Sequence, residues 1–145
     1  MAQLSSMKKA FIVNRKVRFG DCDPGGILFT PRIGHFIVEA IIDFISACFD
    51  APAERSMFEL GIAPPARAFS VEFLKPMVWD DELEIHVSLK EIRNSAFAFS
   101  LNGFVQRDKV FSAEFTQVCV DPKSMRPVSV PKRMRELLEN YTAGG

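Results

Sequence analysis

An excess of charge of one sign is absent from this sequence. Its 145 residues include 18 Lys and Arg and 18 Asp and Glu, so the formal net charge at neutral pH is zero. Proteins that bind nucleic acid through a broadly basic face carry a clear positive excess, and the sequence therefore predicts no nucleic-acid partner. Zero net charge also gives little repulsion between copies of the chain, which permits self-association.

Paired cysteines and long apolar runs are also absent. The three cysteines, Cys22, Cys48 and Cys119, are an odd number and show no C-x-x-C spacing. That pattern excludes a disulfide framework and a cysteine zinc site, and it favours a reduced, cytoplasmic setting. A membrane-spanning helix needs about 20 consecutive apolar residues. The sequence has no such run, and no apolar signal core precedes Phe11.

Aromatic residues that carry a polar atom are scarce. The chain has one Trp and one Tyr but 14 Phe, and a Phe ring can be buried without a hydrogen-bond partner. This imbalance predicts a dry core or a dry subunit interface. With 48% hydrophobic and 25% charged residues, the composition is that of a folded chain. The length predicts one domain over residues 1–145, with 1–10 and 142–145 as flexible ends.

The segment from Pro31 to Phe49 predicts a helix that is buried on most of its sides. Its polar residues recur at intervals of three and four positions, which places them in one narrow stripe, and nearly all the others are Ile, Phe, Val or Ala. A surface helix has the opposite proportions. The polar stripe consists of Arg32, His35, Glu39, Asp43, Ser46 and Asp50.

Alternating apolar and polar residues predict an antiparallel sheet in the rest of the chain. The predicted strands are 11–19, 69–74, 82–89, 97–101 and 110–120. Short helices are predicted at 54–60 and 131–141, with a hairpin turn at 107–109. This order predicts an α+β domain, an antiparallel sheet wrapped around one long helix. A single sheet covers only part of such a helix, so the remaining apolar surface and the sheet edges are candidate dimer interfaces.

A cluster of chain-breaking residues lies between the first strand and the long helix. The cluster, GDCDPGG, covers residues 20–26 and is followed by Thr30 and Pro31. Pro24 and Gly25 suit the two central positions of a type II turn. Thr30 suits the N-cap of the helix, with Pro31 as its first residue. In one interpretation Asp23 only caps the turn, as Asp often does.

The cluster is part of a recognisable segment. The stretch VRFGDCDPGGILFTP, residues 17–31, closely resembles the active-site segment of 4-hydroxybenzoyl-CoA thioesterases and of the acyl-CoA thioesterases associated with the Tol–Pal system. The stretch VCVDP at 118–122, with Met125, Pro127 and Pro131, is similar to the end of the same family's last strand. The resemblance implies the hotdog fold, in which a sheet wraps a central helix, and hydrolysis of acyl-CoA thioesters.

The resemblance also assigns roles in the loop. It implies that Asp23 is the catalytic carboxylate, acting as a nucleophile or as a general base for water. The backbone N–H of Thr30, at the positive end of the helix dipole, is expected to stabilise the oxyanion. Gly25 and Gly26 allow close approach of the substrate. The chemistry requires no metal and no organic cofactor.

The resemblance implies further substrate contacts, both in the loop and in a later segment of the chain. Pro31 belongs to the same loop, and Lys90, Arg93 and Ser95 resemble the family's basic segment that meets CoA phosphates. Arg binds phosphate with a fork of donors and Lys with a point charge. A polar hairpin with solvated charges is the alternative interpretation. The implied partners are an acyl-CoA substrate and further copies of the chain, in a homodimer or homotetramer with the site between subunits.

Several neighbours of Asp23 have competing interpretations. If Asp21 shares a face with Asp23, the pair would raise one carboxyl pKa; otherwise Asp21 is a solvated loop acid. Cys22 and His35 would form a nucleophilic pair only if the fold brought them together, whereas a Cys is commonly buried. His35, with Glu39 and Asp43 on the same helix face, lacks the second ligand cluster that a metal site needs.

The acyl group stays open between aromatic and short-to-medium aliphatic. The family usually carries an acid on the helix near the acyl end, where this chain has Val38, and the Tol–Pal relatives have a His where this chain has Thr30. Phe29, Phe69 and Phe73 suit the lining of an acyl pocket, but core packing is the expected role of such residues.

The sequence therefore predicts a cytoplasmic hotdog acyl-CoA thioesterase. Two alternatives are a non-catalytic module that binds acyl-CoA or acyl carrier protein, and a dehydratase on the same fold. A dehydratase needs a His side chain positioned against its substrate, and the Asp23 loop contains no His.

Overall fold

The computed structural model describes residues 10–141. The predicted flexible ends lie outside the described residues, apart from Ala10. The strands are β1 (Phe11–Lys16), β2 (Ala66–Phe73), β3 (Glu82–Ile92), β4 (Ala96–Val105) and β5 (Asp108–Val118). The α-helices are α1 (Ile33–Phe49), α2 (Ala53–Leu60) and α3 (Lys132–Leu138). Single 3₁₀ turns cover Phe19–Asp21, Thr30–Arg32 and Glu139–Tyr141.

The strands form one antiparallel sheet in the order β1-β3-β4-β5-β2. Strand β3 shows why the sheet forms, because its residues alternate between the two faces. Leu83, Ile85, Val87 and Leu89 are buried against the helix, whereas Glu82 and Glu84 on the opposite face are exposed. One face of the sheet is thus apolar enough to cover a helix, and the predicted α+β arrangement is confirmed.

Helix α1 lies against the apolar face of the sheet. Phe44 is fully buried and meets Phe99 of β4 edge to face, with 5.5 Å between ring centroids. Such aromatic pairs are favoured at this separation. The buried side of α1 consists of Ile33, Phe36, Ile37, Ala40, Ile41, Phe44, Ile45 and Phe49. The excess of Phe over Tyr and Trp thus supplies much of a dry core.

The helix begins differently from the prediction. Residues 30–32 form a 3₁₀ turn, so α1 starts at Ile33 rather than Pro31, and Phe29 rather than Thr30 is the residue that precedes the turn. The Arg32 N–H donates to the Phe29 carbonyl over 2.7 Å, which closes this tighter turn. Thr30 is therefore the first residue of the helical segment and not its cap.

The exposed side of α1 is wider than the predicted polar stripe. Val38 and Ile42 are about two-fifths exposed, at 39% and 41%, beside Glu39 and Asp43. They are apolar residues that the sheet does not reach. The helix therefore presents an apolar strip as well as a polar one, as expected when a single sheet covers only part of it.

Strand β2 is the edge of the sheet next to that strip. Its residues are almost all exposed, including Phe69 and Phe73 at 44% and 43%. An edge strand has backbone donors and acceptors without a neighbouring strand, which makes it a natural site for pairing with another chain.

The end of β1 and the β4–β5 turn differ from the predictions. Strand β1 ends at Lys16, short of Phe19. The β4–β5 hairpin turns at Gln106 and Arg107, not at 107–109; both have positive φ, 49° and 75°. Two left-handed residues form the type I′ turn whose twist matches that of the flanking strands.

Candidate active site

The loop that carries Asp23 is a very small hairpin. Cys22 and Leu28 form an antiparallel bridge, and the Asp23 N–H donates to the Ile27 carbonyl over 2.8 Å. The Gly26 N–H donates back to the Asp23 carbonyl over 2.9 Å, and Gly26 has φ +82°. The predicted type II turn, which needs positive φ at Gly25, is wrong. A three-residue hairpin loop places the left-handed residue one position later, at Gly26.

The Asp23 carboxylate caps this turn and is exposed. Its Oδ1 accepts hydrogen bonds from the N–H groups of Gly25 and Ile27, over 2.9 and 3.2 Å. A Cβ at Gly25 would lie 3.3 Å from that oxygen, tighter than an ordinary contact. Within residues 10–141 no donor engages Oδ2. Turn capping and a reactive role are therefore compatible, because each uses a different oxygen.

The hairpin is held against the segment before β3. The Leu28 N–H donates to the Met77 carbonyl over 2.8 Å, and the Trp79 N–H donates to the Gly26 carbonyl over 3.0 Å. Trp79 and Phe19 are exposed on one side of the hairpin, with their rings 5.6 Å apart, edge to face. These two aromatic rings were not predicted as site residues, because they are distant in sequence from each other.

The Thr30 N–H begins the helical segment that leads into α1. Its neighbours are engaged, since the N–H of Phe29 donates to the Asp21 carbonyl and that of Arg32 to Phe29. No acceptor within the described part of the chain takes the Thr30 N–H. The first N–H groups of a helix carry partial positive charge, so this donor is suited to an anionic oxygen.

Asp21 is buried, which the sequence did not indicate. Its Oδ1 lies 2.9 Å from Arg32 Nε and 3.6 Å from Arg15 Nη2, and its Oδ2 accepts the Arg18 N–H over 2.9 Å. Burial alone would raise the pKa of this carboxyl. The hydrogen bonds from Arg18 and Arg32, with the charges of Arg15 and Arg32, outweigh burial and lower the pKa. The prediction of a solvated acid at Asp21 is therefore wrong, and the arginines rather than Asp23 are the charged partners of its carboxylate.

Three cavities surround the loop. The largest, about 550 Å³, is lined by Asp23, Gly25 and Gly26 with Phe19 and Trp79. A second, about 380 Å³, is lined by Thr30, Leu28, Phe73, Leu74 and Lys75. The third, about 360 Å³, is lined by Pro31, Gly34, Val38, Phe69 and Phe115. Asp23 and Thr30 therefore border different cavities at the two ends of one loop.

The three phenylalanines near the loop are not core residues. Phe29, Phe69 and Phe73 are 55%, 44% and 43% exposed, and the expectation of core packing is wrong. Phe73 borders the cavity that contains Thr30, and Phe69 borders the one that contains Pro31. Their exposure follows from the edge position of β2 and the protruding loop, which sequence alternation does not reveal.

Lys90, Arg93 and Ser95 lie at the far end of the sheet. Lys90 is nine residues beyond Asp81, whose carbonyl accepts a hydrogen bond from the Val17 N–H near the loop. At ~3.3 Å per residue that is about 30 Å along β3. Lys90 Nζ lies 2.8 Å from a Glu114 carboxylate oxygen, and Arg93 Nε 3.2 Å from one of Glu91. Within one chain, the basic segment and Asp23 are not brought together.

A further cation at that end was missed by sequence reasoning. Arg135 of α3 donates from Nη2 to the Arg93 carbonyl over 2.7 Å. It is forty-two residues from Arg93 in sequence, so no local pattern points to the pair. The end of the sheet at Arg93 therefore carries more positive charge than the segment 90–95 alone.

The Cys22–His35 pair finds no support. Cys22 lines the cavity with Asp23, His35 lines the one with Phe69, and the Cys22 Sγ donates to the Arg18 carbonyl over 3.5 Å. Partial burial raises the pKa of Cys22, and nearby acidic side chains raise it further. Among residues 10–141 no cluster of three His, Cys, Asp or Glu is arranged to hold a metal ion. No helix in that range is long and apolar enough to cross a membrane.

Known proteins resemble this chain over most of its length. The model of the Thioesterase-like superfamily matches residues 17–138. A putative esterase of Aquifex aeolicus is 28% identical over 130 residues, covering 90% of this chain and 98% of that protein. The 4-hydroxybenzoyl-CoA thioesterase of a Pseudomonas species is 28% identical over 92 residues, covering 63% of this chain and 65% of the enzyme.

A solved structure shows the same fold. A thioesterase-superfamily protein from Jannaschia superposes with a TM-score of 0.86 at 23% identity, covering 93% of this chain and 94% of that one. The architecture is the hotdog fold, as the resemblance implied, with the sheet wrapped around α1. From the match over residues 17–138 and this fold, the chain belongs to the Thioesterase-like superfamily.

Proposed function

We propose that the protein hydrolyses acyl-CoA thioesters to the free acid and CoA. The acyl group is aromatic or short-to-medium aliphatic, and Asp23 is the catalytic carboxylate. The observation that carries the proposal is the loop itself, in which one oxygen of the Asp23 carboxylate and the Thr30 N–H are both unengaged within residues 10–141. Family membership gives the reaction class, and the loop gives the groups for it.

The two groups meet the two needs of thioester hydrolysis. In the general-base route, Asp23 takes a proton from water as the water oxygen bonds to the carbonyl carbon, and the C–S bond then breaks so that CoA leaves as the thiolate. In the nucleophilic route, an Asp23 oxygen bonds to that carbon, CoA leaves as the thiolate, and water then hydrolyses the anhydride. In both routes the carbonyl oxygen becomes negative, and the Thr30 N–H is the proposed donor to it.

Substrate binding is proposed to involve the surfaces next to the loop. Gly25 and Gly26 leave room for the thioester, and Phe29 and Pro31 contact it on the helix side. Gly25 and Gly26 line the cavity with Asp23, Pro31 lines the one with Phe69, and Phe29 is exposed beside them in sequence, which supports this assignment. Lys90, Arg93 and Ser95 are proposed to bind the CoA phosphates.

The site is proposed to lie between subunits of a homodimer or homotetramer. The Asp23 loop lies near the start of β3 and Lys90 near its end, about 30 Å along the strand for nine residues. We therefore propose that one CoA ester is bound by the loop of one copy and the basic end of another. The exposed β2 edge and the apolar strip of Val38 and Ile42 offer contact surface. We also place the enzyme in the cytoplasm, where its unpaired thiols stay reduced.

The test is CoA-thiol release from a panel of aromatic and aliphatic acyl-CoAs. We expect Asp23→Asn to lower kcat roughly 10²–10⁴-fold for the preferred substrate, the range for loss of a general base. Asp108→Asn, a substitution of an exposed carboxylate at the β4–β5 hairpin, is the matched control and should keep the wild-type rate. Full activity of a folded Asp23→Asn variant would contradict the assignment.

The same panel separates the alternatives. A binding module for acyl-CoA or acyl carrier protein would bind the esters without releasing thiol. A dehydratase would form or consume a double bond in the acyl chain and leave the thioester intact. Thiol release that depends on Asp23 is expected only of the thioesterase.

A further inference from the structure

We infer that Asp21 is a positioning residue, which holds the Asp23 turn in a fixed relation to the first turn of the helical segment at Thr30. The inference rests on the proposed function, since it concerns the alignment of the two groups assigned there. It adds a role for a residue that does not touch the substrate in that assignment.

Asp21 joins the two ends of the loop through both its backbone and its side chain. On the near end, Oδ2 accepts the Arg18 N–H over 2.9 Å. On the far end, the Asp21 carbonyl accepts the Phe29 N–H over 2.9 Å, and Oδ1 accepts from Arg32 Nε over 2.9 Å. One residue thus bonds both to the segment before the turn and to the segment after it.

The carboxylate is itself anchored from several elements. The side chain is only 3% exposed, and a buried charge requires partners. Arg15 of β1 lies 3.6 Å from Oδ1, pairs with Glu39 of α1 over 2.7 Å, and stacks over the Phe36 ring at 4.3 Å. The clamp at Asp21 is therefore connected to the first strand and to the helix.

Both reactive groups lie next to the clamped residues. Asp23 is two positions after Asp21, and Thr30 directly follows Phe29 and precedes Arg32 by two positions. Gly25 and Gly26 lie between them, and glycine has the greatest backbone conformational freedom. Displacement of a reacting group by about 1 Å costs on the order of 10²-fold in rate, so a loop with two glycines needs such a clamp.

The rest of the loop is held independently of the Asp21 carboxylate. Leu28 bonds to Met77 and Trp79 bonds to Gly26, and neither contact involves Asp21. Loss of the carboxylate should therefore leave the hairpin in place but loosen its alignment with the helix start. The expected effect on catalysis is on kcat, with little change in KM. The melting temperature should fall as well, because the substitution removes the buried charge that pairs with Arg15 and Arg32, so the kinetics are compared well below it.

The experiment compares Asp21→Asn, Arg32→Leu, Arg32→Lys and the Asp21→Asn/Arg32→Leu double variant, with Asp108→Asn as the control. The assay is CoA-thiol release from the best substrate of the panel, with kcat and KM measured separately. We expect Asp21→Asn to lower kcat about tenfold to hundredfold with KM within about twofold. Arg32→Lys should retain more activity than Arg32→Leu. The double variant should have about the same kcat as Asp21→Asn alone, because both substitutions break the same contact.

Amide hydrogen exchange of the same variants tests the hydrogen bonds of Asp21 independently of turnover. The N–H groups of Arg18 and Phe29 should exchange at least tenfold faster in Asp21→Asn than in the wild type. In Asp108→Asn they should exchange at the wild-type rate. Wild-type kcat in Asp21→Asn, additive losses in the double variant, or unchanged exchange at Phe29 would each overturn the inference. If the wild-type chain releases no thiol from any ester, the proposed function fails, and the exchange result alone decides whether Asp21 clamps the loop.

Discussion

Asp23 uses its two carboxylate oxygens differently. Oδ1 stabilises the turn through the Gly25 and Ile27 N–H groups, while Oδ2 has no donor among residues 10–141. The two sequence interpretations of this residue, turn cap and catalytic carboxylate, are therefore compatible. Capping fixes the side chain in one orientation, which is the condition for a positioned base or nucleophile.

A residue-scale prediction concerns Cys22, which stands between the two aspartates. The raised pKa keeps its sulfur as the neutral thiol at neutral pH, and the thiolate is the nucleophilic form. We expect Cys22→Ser to keep kcat within about twofold of wild type, since Ser retains a donor to the Arg18 carbonyl. The measurement is CoA-thiol release between pH 6 and pH 9.

The outcome for Cys22 is compared with that for Asp23. Cys48 and Cys119, whose thiol pKa values burial raises to about 11, are poor nucleophiles at the same pH and do not confuse the result. Loss of turnover in Cys22→Ser to the level of Asp23→Asn would show a cysteine mechanism instead.

At the scale of elements, strands β4 and β5 meet at a position where any side chain would displace the ring of Phe111. A Cβ on Gly103 would lie 2.1 Å from a ring carbon of Phe111, and Phe111 is fully buried. Gly103 pairs with Phe111 across the two strands, so the ring lies over the glycine. The missing side chain is what lets this ring fill the core.

The corresponding prediction is that Gly103→Ala destabilises the fold. Overpacking of this kind typically costs about 1–3 kcal/mol, because the Phe111 ring must leave its place. We expect a clear fall in melting temperature by circular dichroism, with the proposed kinetics intact at low temperature. The control is Gly20→Ala, since nothing lies within 4 Å of a Cβ at Gly20. Equal melting temperatures for the two variants would show that the core can shift at no cost.

At the scale of the whole molecule, the separation of Asp23 from Lys90 is the main consequence of the fold. The loop lies at one end of β3 and the basic segment at the other, about 30 Å away for nine residues. In the proposed arrangement, a complete site takes the Asp23 loop from one copy of the chain and the basic segment from another.

This arrangement predicts rescue between two defective variants. Asp23→Asn lacks the carboxylate, and the Lys90→Ala/Arg93→Ala variant keeps the loop but is expected to have a raised KM for CoA esters. Co-expression with two different affinity tags allows the mixed dimers to be isolated. In a dimer that holds one copy of each, one of the two sites is intact, so we expect about half of the wild-type rate at low substrate.

Separately purified variants measured without exchange of subunits serve as the control for rescue. If the mixed dimers show only the mean of the two parent activities, then each chain binds and cleaves its own substrate. The loss in Lys90→Ala/Arg93→Ala should also be smaller for a short thioester without CoA, because that substrate has no phosphates to bind.

Local patterns in the sequence are enough to predict the main strands and the long helix of this protein. Strand β3 and helix α1 follow from local periodicity, since Leu83 to Leu89 alternate and the polar residues of α1 recur every three or four positions. The segment 17–31 pointed to the hotdog fold and to the family, and both are confirmed. These features depend on near neighbours in the chain, so a pattern in the sequence is enough to reveal them.

The surroundings of the site, in contrast, follow from the way distant segments pack together. Asp21 looks in the sequence like Asp23, yet the fold buries it between Arg15 and Arg32. Phe29, Phe69 and Phe73 look like core residues, yet the loop and the sheet edge leave them exposed. Burial and pairing depend on which distant segments meet, because a side chain's environment comes from its neighbours in space. Local periodicity contains no information about those neighbours.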